Sequence, residues 1–383
     1  MRKWKQICAC CLAAVLTVSG PAATAWAGSP EFARTPEEWA RLRDNVMEYD
    51  ELTGLIREYN VTVQKNQLDI SDKKKDDMIT SDQYAQAYRD AADEMWNAVD
   101  GENAVADVGN EMAARNAQVS ADKNVQDLQV YQLTYDQQEA GLVASAQSSM
   151  IAYFQQNYEL ENAKESLELL KAVYDSTVLR QSAGMATQVD VLTALENVQN
   201  AQTAIDKLTA AIDQTRQTLC VMLGWKYNDM PEIREIPPVD MERIAAINLE
   251  QDKAAALENN YTLKINKRKL GNATAGTTIE SLNRAIESNV QNINADMVKN
   301  HQAVLQAKAA YDQAAAEFEL ESKNMGTAQR KFDIGMLSRL EYLQQKNTYN
   351  SKSTGIKTAE LALAQAVQTY ENGVKGLASA GGM

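Results

Sequence analysis

Apolar residues recur along this chain at the spacing of packed helices. Val191, Val198, Ile205, Ile212 and Leu219 stand seven apart, and Ala194, Ala201, Leu208, Thr215 and Met222 follow three positions behind each. That is an a/d seam, so the spacing predicts a long helix packed along its length against another. Leu160, Leu167 and Tyr174, with Ala163, Leu170 and Thr177, make a second seam, and Val304, Ala307, Tyr311, Ala314 and Phe318 a third. Gln, Asn, Asp, Glu and Lys fill the other faces, which leaves each helix a side for water.

Proline placement permits helices of this length. Prolines stand at 21, 30, 36, 231, 237 and 238, leaving 37–230 and 239–383 without any. One inside a helix would cost about 3 kcal/mol. Between those stretches, GWKYNDMPEIREIPPVD (224–240) reads as a linker. The expected fold class is all-α and elongated, built from long, coiled-coil-like helical hairpins with little or no β-structure.

Two short stretches mark where the hairpins turn. SAGMATQVDVL (182–192) and DIGMLSRLEYL (333–343) share one arrangement of Gly, Met, hydroxyl, acid and Leu. Gly184 and Gly335 each follow a long helical pattern, where a residue free to take positive φ ends a helix. Thr187 and Ser338 come next as N-cap residues, and Asp190 and Glu341, three positions on, complete capping boxes. Thr35-Pro36-Glu37-Glu38 starts an earlier helix in the same way.

The duplication extends beyond the turns. EYNVTVQKN (58–66) matches ENNYTLKIN (258–266) at an offset of 200, whereas the turns match at an offset of 151. The difference of 49 residues is extra sequence in the first half. It is placed at 69–118, read as short helical pieces broken around Asp100-Gly101 and Gly109. Two long hairpins, one per half, are the implied architecture.

Charge and targeting then bound the function. Arg2, Lys3 and Lys5, an apolar run from Ile7 to about Val18, and Ala25-Trp26-Ala27 have the layout of a secretory signal cleaved after Ala27. Its removal takes three basic residues and no acidic one, moving the formal net charge from −14 to −17. So acidic an exported chain is a poor partner for nucleic acid. Only Cys220 remains after cleavage, which excludes an internal disulfide. Cys8 and Cys10 precede the apolar core, too early for a lipid-attachment box. The four-residue spacing of Gly271 and Gly276 suggests a phosphate loop, but Thr277 replaces the Lys it needs. His301 stands alone on a polar stretch, and the chain offers no nucleophile, base or metal cluster. No enzyme activity and no cofactor are expected.

The tandem units, the Asn near the start of each, and the paired Gly-x-x-[Thr/Ser]-x-x-[Asp/Glu]-x-Leu turns followed by a seam ending in Leu223-Gly224 resemble the TolC-type efflux channel family over nearly the whole exported chain. The resemblance divides it into a signal (1–27), a first helical repeat (28–223), a linker (224–240) and a second repeat (241–383). It implies a homotrimer whose twelve long helices form a hollow tunnel in the cell envelope. The hairpin turns would be its tips, where a membrane-fusion adaptor protein docks and brings an inner-membrane pump, ABC or proton-driven. Docking would fall on Ala183, Gly184, Met185, Ala186 and Thr187, and on Ile334, Gly335, Met336, Leu337 and Ser338. Glu341 would line the gate, while Asp190 serves mainly as a cap.

The sequence departs from the family pattern in three places. Family protomers carry two β-hairpins that close into an outer-membrane barrel, and neither 69–118 nor GNATAGTT (271–278) shows the alternating stretches such strands need. Gln181 and Phe332 stand where the turns often carry a phenol, and Gln344 where a second Asp often follows Glu341. The competing reading is a structural or adhesive coiled-coil protein of the envelope without transport.

Overall fold

The computed structural model describes residues 34–381; the signal expected at 1–27 lies outside them. Among the described residues the chain forms twelve α-helices. Helix α1 (Pro36–Leu42) starts from the Thr35/Glu38 capping box. It is followed by β1 (Val46–Met47), α2 (Leu52–Tyr59), α3 (Val61–Lys75), α4 (Ser81–Asn97), α5 (Ala104–Asp122), α6 (Leu128–Ser182) and α7 (Gln188–Met222). The second half runs through β2 (Glu232–Ile233), α8 (Met241–Ala245), α9 (Leu249–Asn259), α10 (Tyr261–Asn272), α11 (Gly276–Asp333) and α12 (Arg339–Asn372), and ends in a π-helical turn, Gly373–Leu377. The two longest helices, α6 with 55 residues and α11 with 58, each span on the order of 85 Å at 1.5 Å per residue.

The long helices lie side by side in the order α7, α6, α12, α11. Every a and d position of the α7 seam, from Val191 to Met222, is buried or half-buried, and most of its other positions are exposed. Helix α6 is half-buried nearly all round because it has neighbours on both sides. Its contact with α12 is largely polar: Ser166 Oγ donates to Asn347 Oδ1 at 2.8 Å, Gln365 Nε2 to Ser148 Oγ at 3.1 Å, and Lys346 pairs with Glu165 at 2.8 Å. A seam made this way leaves no apolar period to read, so only the apolar side of α6 is legible in the sequence.

Two apolar clusters occupy corresponding places in the halves. The first joins Met47, Leu52, Ile56 and Val63 to Met150, Phe154, Leu219 and Leu223; the second joins Leu263, Ile293, Met297, Val304, Leu363 and Tyr370. The stretch 224–240, read as a linker, is built into the first cluster. Trp225, Ile233 and Ile236 pack against it, and β2 pairs in parallel with β1, with Val46 opposite Glu232. Its prolines stop a helix without preventing its apolar side chains from being buried.

The halves differ where α3 leads to α6 and α10 leads to α11. Helices α4 and α5 form a hairpin in the first place, and residues 273–275 alone make the link in the second. The stretch 69–118 is made of short helical pieces with a break at Asp100-Gly101, as expected, but the break expected around Gly109 is corrected here. Gly109 lies within α5, its cost of about 1 kcal/mol relative to Ala absorbed by a 19-residue helix. The breaks come instead between Lys75 and Ser81 and around Gly101, with φ of 80°, where Asp107 accepts from the Asp100 and Gly101 N–H groups. Neither place carries a strand, and no described helix is long and apolar enough to cross a membrane.

Candidate functional site

The antiparallel pairs between α6 and α12 bring the α6–α7 and α11–α12 turns to the same end of the molecule. Both turns close in the same way. Gly184 N–H donates to the Gln181 carbonyl at 2.9 Å and Met185 N–H to the Arg180 carbonyl at 2.8 Å. Gly335 N–H donates to Phe332 at 3.0 Å and Met336 N–H to Lys331 at 2.8 Å. These bonds satisfy carbonyls left over at the helix ends, and they require a left-handed residue. Gly184 and Gly335 supply it with φ of 71° and 73°.

The following helices start with reciprocal caps. Asp190 N–H donates to Thr187 Oγ1 at 3.2 Å, while Thr187 N–H donates to Asp190 Oδ2 at 2.7 Å. Glu341 N–H donates to Ser338 Oγ at 3.3 Å and Ser338 N–H to Glu341 Oε2 at 2.9 Å. The bonds from Thr187, backbone first and then hydroxyl, hold the Asp190 carboxyl below its ordinary range; for Glu341 the Ser338 hydroxyl leads and its backbone N–H follows. In the single protomer neither carboxylate is buried.

The tips expose apolar side chains at their ends, among polar and charged ones such as Arg180, Asp333 and Arg339. Met185 is 65% exposed and Met336 72%, with Ile334 beside it also exposed, while Ala186 and Leu337 are half-buried under them. Ala183, Gly184, Thr187, Gly335 and Ser338 are exposed as well. Exposed Leu179 and Val189, with Leu192 at the end of the turn motif, add further apolar side chains to the first tip.

The second tip holds a phenol that a count back from the Gly misses. Tyr342 stacks on Phe332 with ring centroids 4.5 Å apart and 21° between planes, and its hydroxyl donates to Gln329 Oε1 at 2.6 Å. The aromatic pair between the arms of this hairpin therefore joins Phe332 of α11 to Tyr342 of α12. At the first tip two amides, Gln181 and Gln188, face each other in its place. The chemistry here is that of a rigid, capped, apolar-ended hairpin. Among the described residues no group of His, Cys, Asp or Glu is placed to hold a metal ion.

No family model and no curated protein matches the sequence. Solved structures do match the fold. A membrane protein from Pseudomonas aeruginosa aligns at a TM-score of 0.55 and 12% identity, covering 85% of this chain and 93% of its own. The CmeC outer membrane channel of Campylobacter jejuni aligns at 0.51 and 9% identity, covering 95% and 94%. The fold is thus that of the TolC-type helical channels, built here without barrel strands among the described residues.

Proposed function

We propose that this protein is a conduit subunit of the cell envelope, exported and assembled as a homotrimer, through which substrates pass without chemistry. The observation that carries the reading is the pair of like-built tips, both pointing one way and both ending in exposed apolar side chains. In a four-helix array ordered α7, α6, α12, α11, the flanks α7 and α11 are left for neighbours. Each flank helix exposes apolar side chains away from its own partner: Val221 on α7, Leu305 and Leu320 on α11. Pairing α7 of one copy with α11 of the next closes three copies into a ring of twelve helices.

At the tips, the shallow apolar ground around Gly184 and Gly335 suits an incoming helical hairpin laid into a groove. A membrane-fusion adaptor protein fits that description, with an inner-membrane pump, ABC or proton-driven, supplying the energy. Glu341 is proposed as the gate residue, three copies converging on the axis. The test is assembly and conduction together. Light scattering at micromolar concentration is expected to give the mass of a trimer, and the trimer docked on its adaptor and pump in proteoliposomes is expected to conduct. A fully helical monomer would sink the conduit. A trimer that never conducts would leave the structural envelope protein in its place.

A further inference from the structure

A methionine follows the left-handed glycine in both tips, and its backbone is tied in the same way each time. The Met185 N–H reaches back to the Arg180 carbonyl and the Met336 N–H to the Lys331 carbonyl, while the glycine before each bonds one residue nearer the turn. At such a helix end the residue after the glycine often carries an apolar side chain that folds back on the residue whose carbonyl it bonds. Here that place is held by Arg180 and Lys331, both charged and exposed. It offers the methionines no apolar cover, and both stay exposed.

Exposure decides which sulfur an oxidant meets first. Among the described residues Met112, Met185, Met230 and Met336 are exposed, whereas Met47, Met150 and Met297 are completely buried. The one free thiol among them, Cys220, is buried too, and burial pushes its pKa up, away from the reactive thiolate. A thioether has no proton to lose, so access governs its oxidation. Two of the four exposed thioethers thus stand at one position of two turns that lie 151 residues apart in the chain.

We infer that Met185 and Met336 form an oxidation switch on the tips, set by peroxide. Hydrogen peroxide transfers one oxygen atom to each sulfur: the S=O bond forms as the O–O bond breaks, the thioether loses two electrons, and the peroxide leaves as water. The sulfoxide oxygen accepts hydrogen bonds, and Arg180 and Lys331, which carry donors and no acceptor, stand where a folded-back side chain meets them. Reduced tips present flexible apolar side chains to a partner. Oxidised tips gain a polar group that a docked helical hairpin would bury unpaired. The inference rests on the reading of the tips as the docking surface.

Peroxide treatment of the full trimer, followed by peptide mass spectrometry, reads the chemistry. Met185 and Met336 are expected to gain one oxygen well before Met150 and Met297. Binding to the purified adaptor of the conduction assay, immobilised on a sensor surface, reads the consequence. Kd is expected to rise roughly tenfold or more, as burial of an unpaired polar group implies, and to recover when methionine sulfoxide reductases remove the oxygen. Met185→Leu combined with Met336→Leu keeps the tips apolar without sulfur, so it is expected to bind as the native chain does and to lose nothing on treatment. Met112→Leu combined with Met230→Leu is expected to stay as sensitive as the native chain. If the tip methionines resist peroxide as the buried ones do, if the oxidised trimer binds undiminished, or if the tip Leu variant loses binding on treatment, the switch is wrong and the docking reading stands. If the untreated trimer does not bind the adaptor, the docking reading fails and the switch falls with it.

Discussion

Asn60 donates through Nδ2 to the carbonyl of Met222 at 2.8 Å while its Oδ1 accepts from the N–H groups of Thr62 and Val63. One buried amide thus caps the start of α3 and satisfies a carbonyl at the end of α7, joining the two helices end to end. Asn260 does the same in the second half, capping α10 through the Leu263 N–H and donating to the Gly376 and Ala378 carbonyls at 3.2 and 2.8 Å. Only a side chain with both a donor and an acceptor serves both ends. Asn60→Ala is expected to cost about 2 to 3 kcal/mol, the sum of a lost cap and an orphaned carbonyl. Asn60→Asp keeps the cap and sets a carboxylate against the Met222 carbonyl, so it should recover little. Urea unfolding followed by circular dichroism measures both, and an Asp variant as stable as the native chain would show that the donor contributes nothing.

The glycines divide into two kinds by what surrounds them. Nothing lies within 4 Å of a Cβ built on Gly184 or Gly335, so Gly→Ala there meets only the backbone penalty of positive φ, about 1 to 2 kcal/mol. At Gly224 the same atom would stand 2.3 Å from Tyr59 Cβ, and at Gly376 2.6 Å from the Asn259 carbonyl oxygen. Gly224→Ala and Gly376→Ala should therefore destabilise more than the tip variants, by a further ~1 kcal/mol or more, the usual cost of overpacking. Unfolding midpoints of all four variants test the ranking. A reversal would mean that the Asn-linked ends of α7 and α12 yield more readily than their geometry implies.

The tip caps have a defined pH window. Because the folded carboxyls of Asp190 and Glu341 are held below their ordinary values of 3.8 and 4.5, their stabilisation is complete above those values and lost as pH falls through the folded ones. Amide-exchange protection of the Thr187 and Ser338 N–H groups, which donate to these carboxylates, corrected for intrinsic rates, should stay level from pH 7 to about pH 5 and fall below about pH 4. The middles of α6 and α11 should keep theirs through the same range. Loss of tip protection near neutral pH would mean that the carboxylates are not what closes the caps.

Much of this architecture was legible in the sequence because it rests on local chemistry. The a/d seam of α7, the Gly turns and the Ser and Thr boxes each need only a few neighbouring residues to specify them, and the duplication made each half a check on the other. What stayed hidden depends on residues far apart in the chain. The α6–α12 contact is held by Ser166, Asn347, Gln365 and Ser148, polar residues that look solvent-facing until their partners are known. Residues 224–240 carry the breakers of a linker, yet pack Ile233 and Ile236, half-buried, against the first core. Tyr342 reaches Phe332 across the turn, which a fixed count back from the Gly does not reveal.

That stack gives a test of tip rigidity. Tyr342→Phe keeps the ring on Phe332 and removes the bond to Gln329, whereas Tyr342→Ala removes both. The exposed hydrogen bond is worth about 0.5 to 1.5 kcal/mol at most and the aromatic pair a similar amount. Global stability should change by less than about 1 kcal/mol for Phe and somewhat more for Ala. In the proposed trimeric conduit, the Ala variant should raise the fraction of time the channel conducts, with Phe between it and the native chain. Equal conductance in all three would place the stack outside the gate.

Glu341 faces two opposing influences, and their balance shows whether the gate ring exists. In the protomer, Ser338 holds its carboxyl below the ordinary value. Three copies brought within several ångströms on an axis repel one another, which favours protonation or a bound cation and drives the same group upward. An apparent Glu341 pKa in the trimer above the ordinary 4.5 therefore means convergence, and one below it means that the cap alone acts. Glu341→Gln removes the charge while keeping a side chain that completes the capping box, so helicity should be unchanged. It should also lower the block of conductance by divalent cations. Asp190→Asn, made at the turn proposed to lie farther from the axis, should have a much smaller effect. If the two substitutions act equally, or if Glu341→Gln does nothing in a trimer shown to conduct, then Glu341 is a helix cap only and the ring is absent.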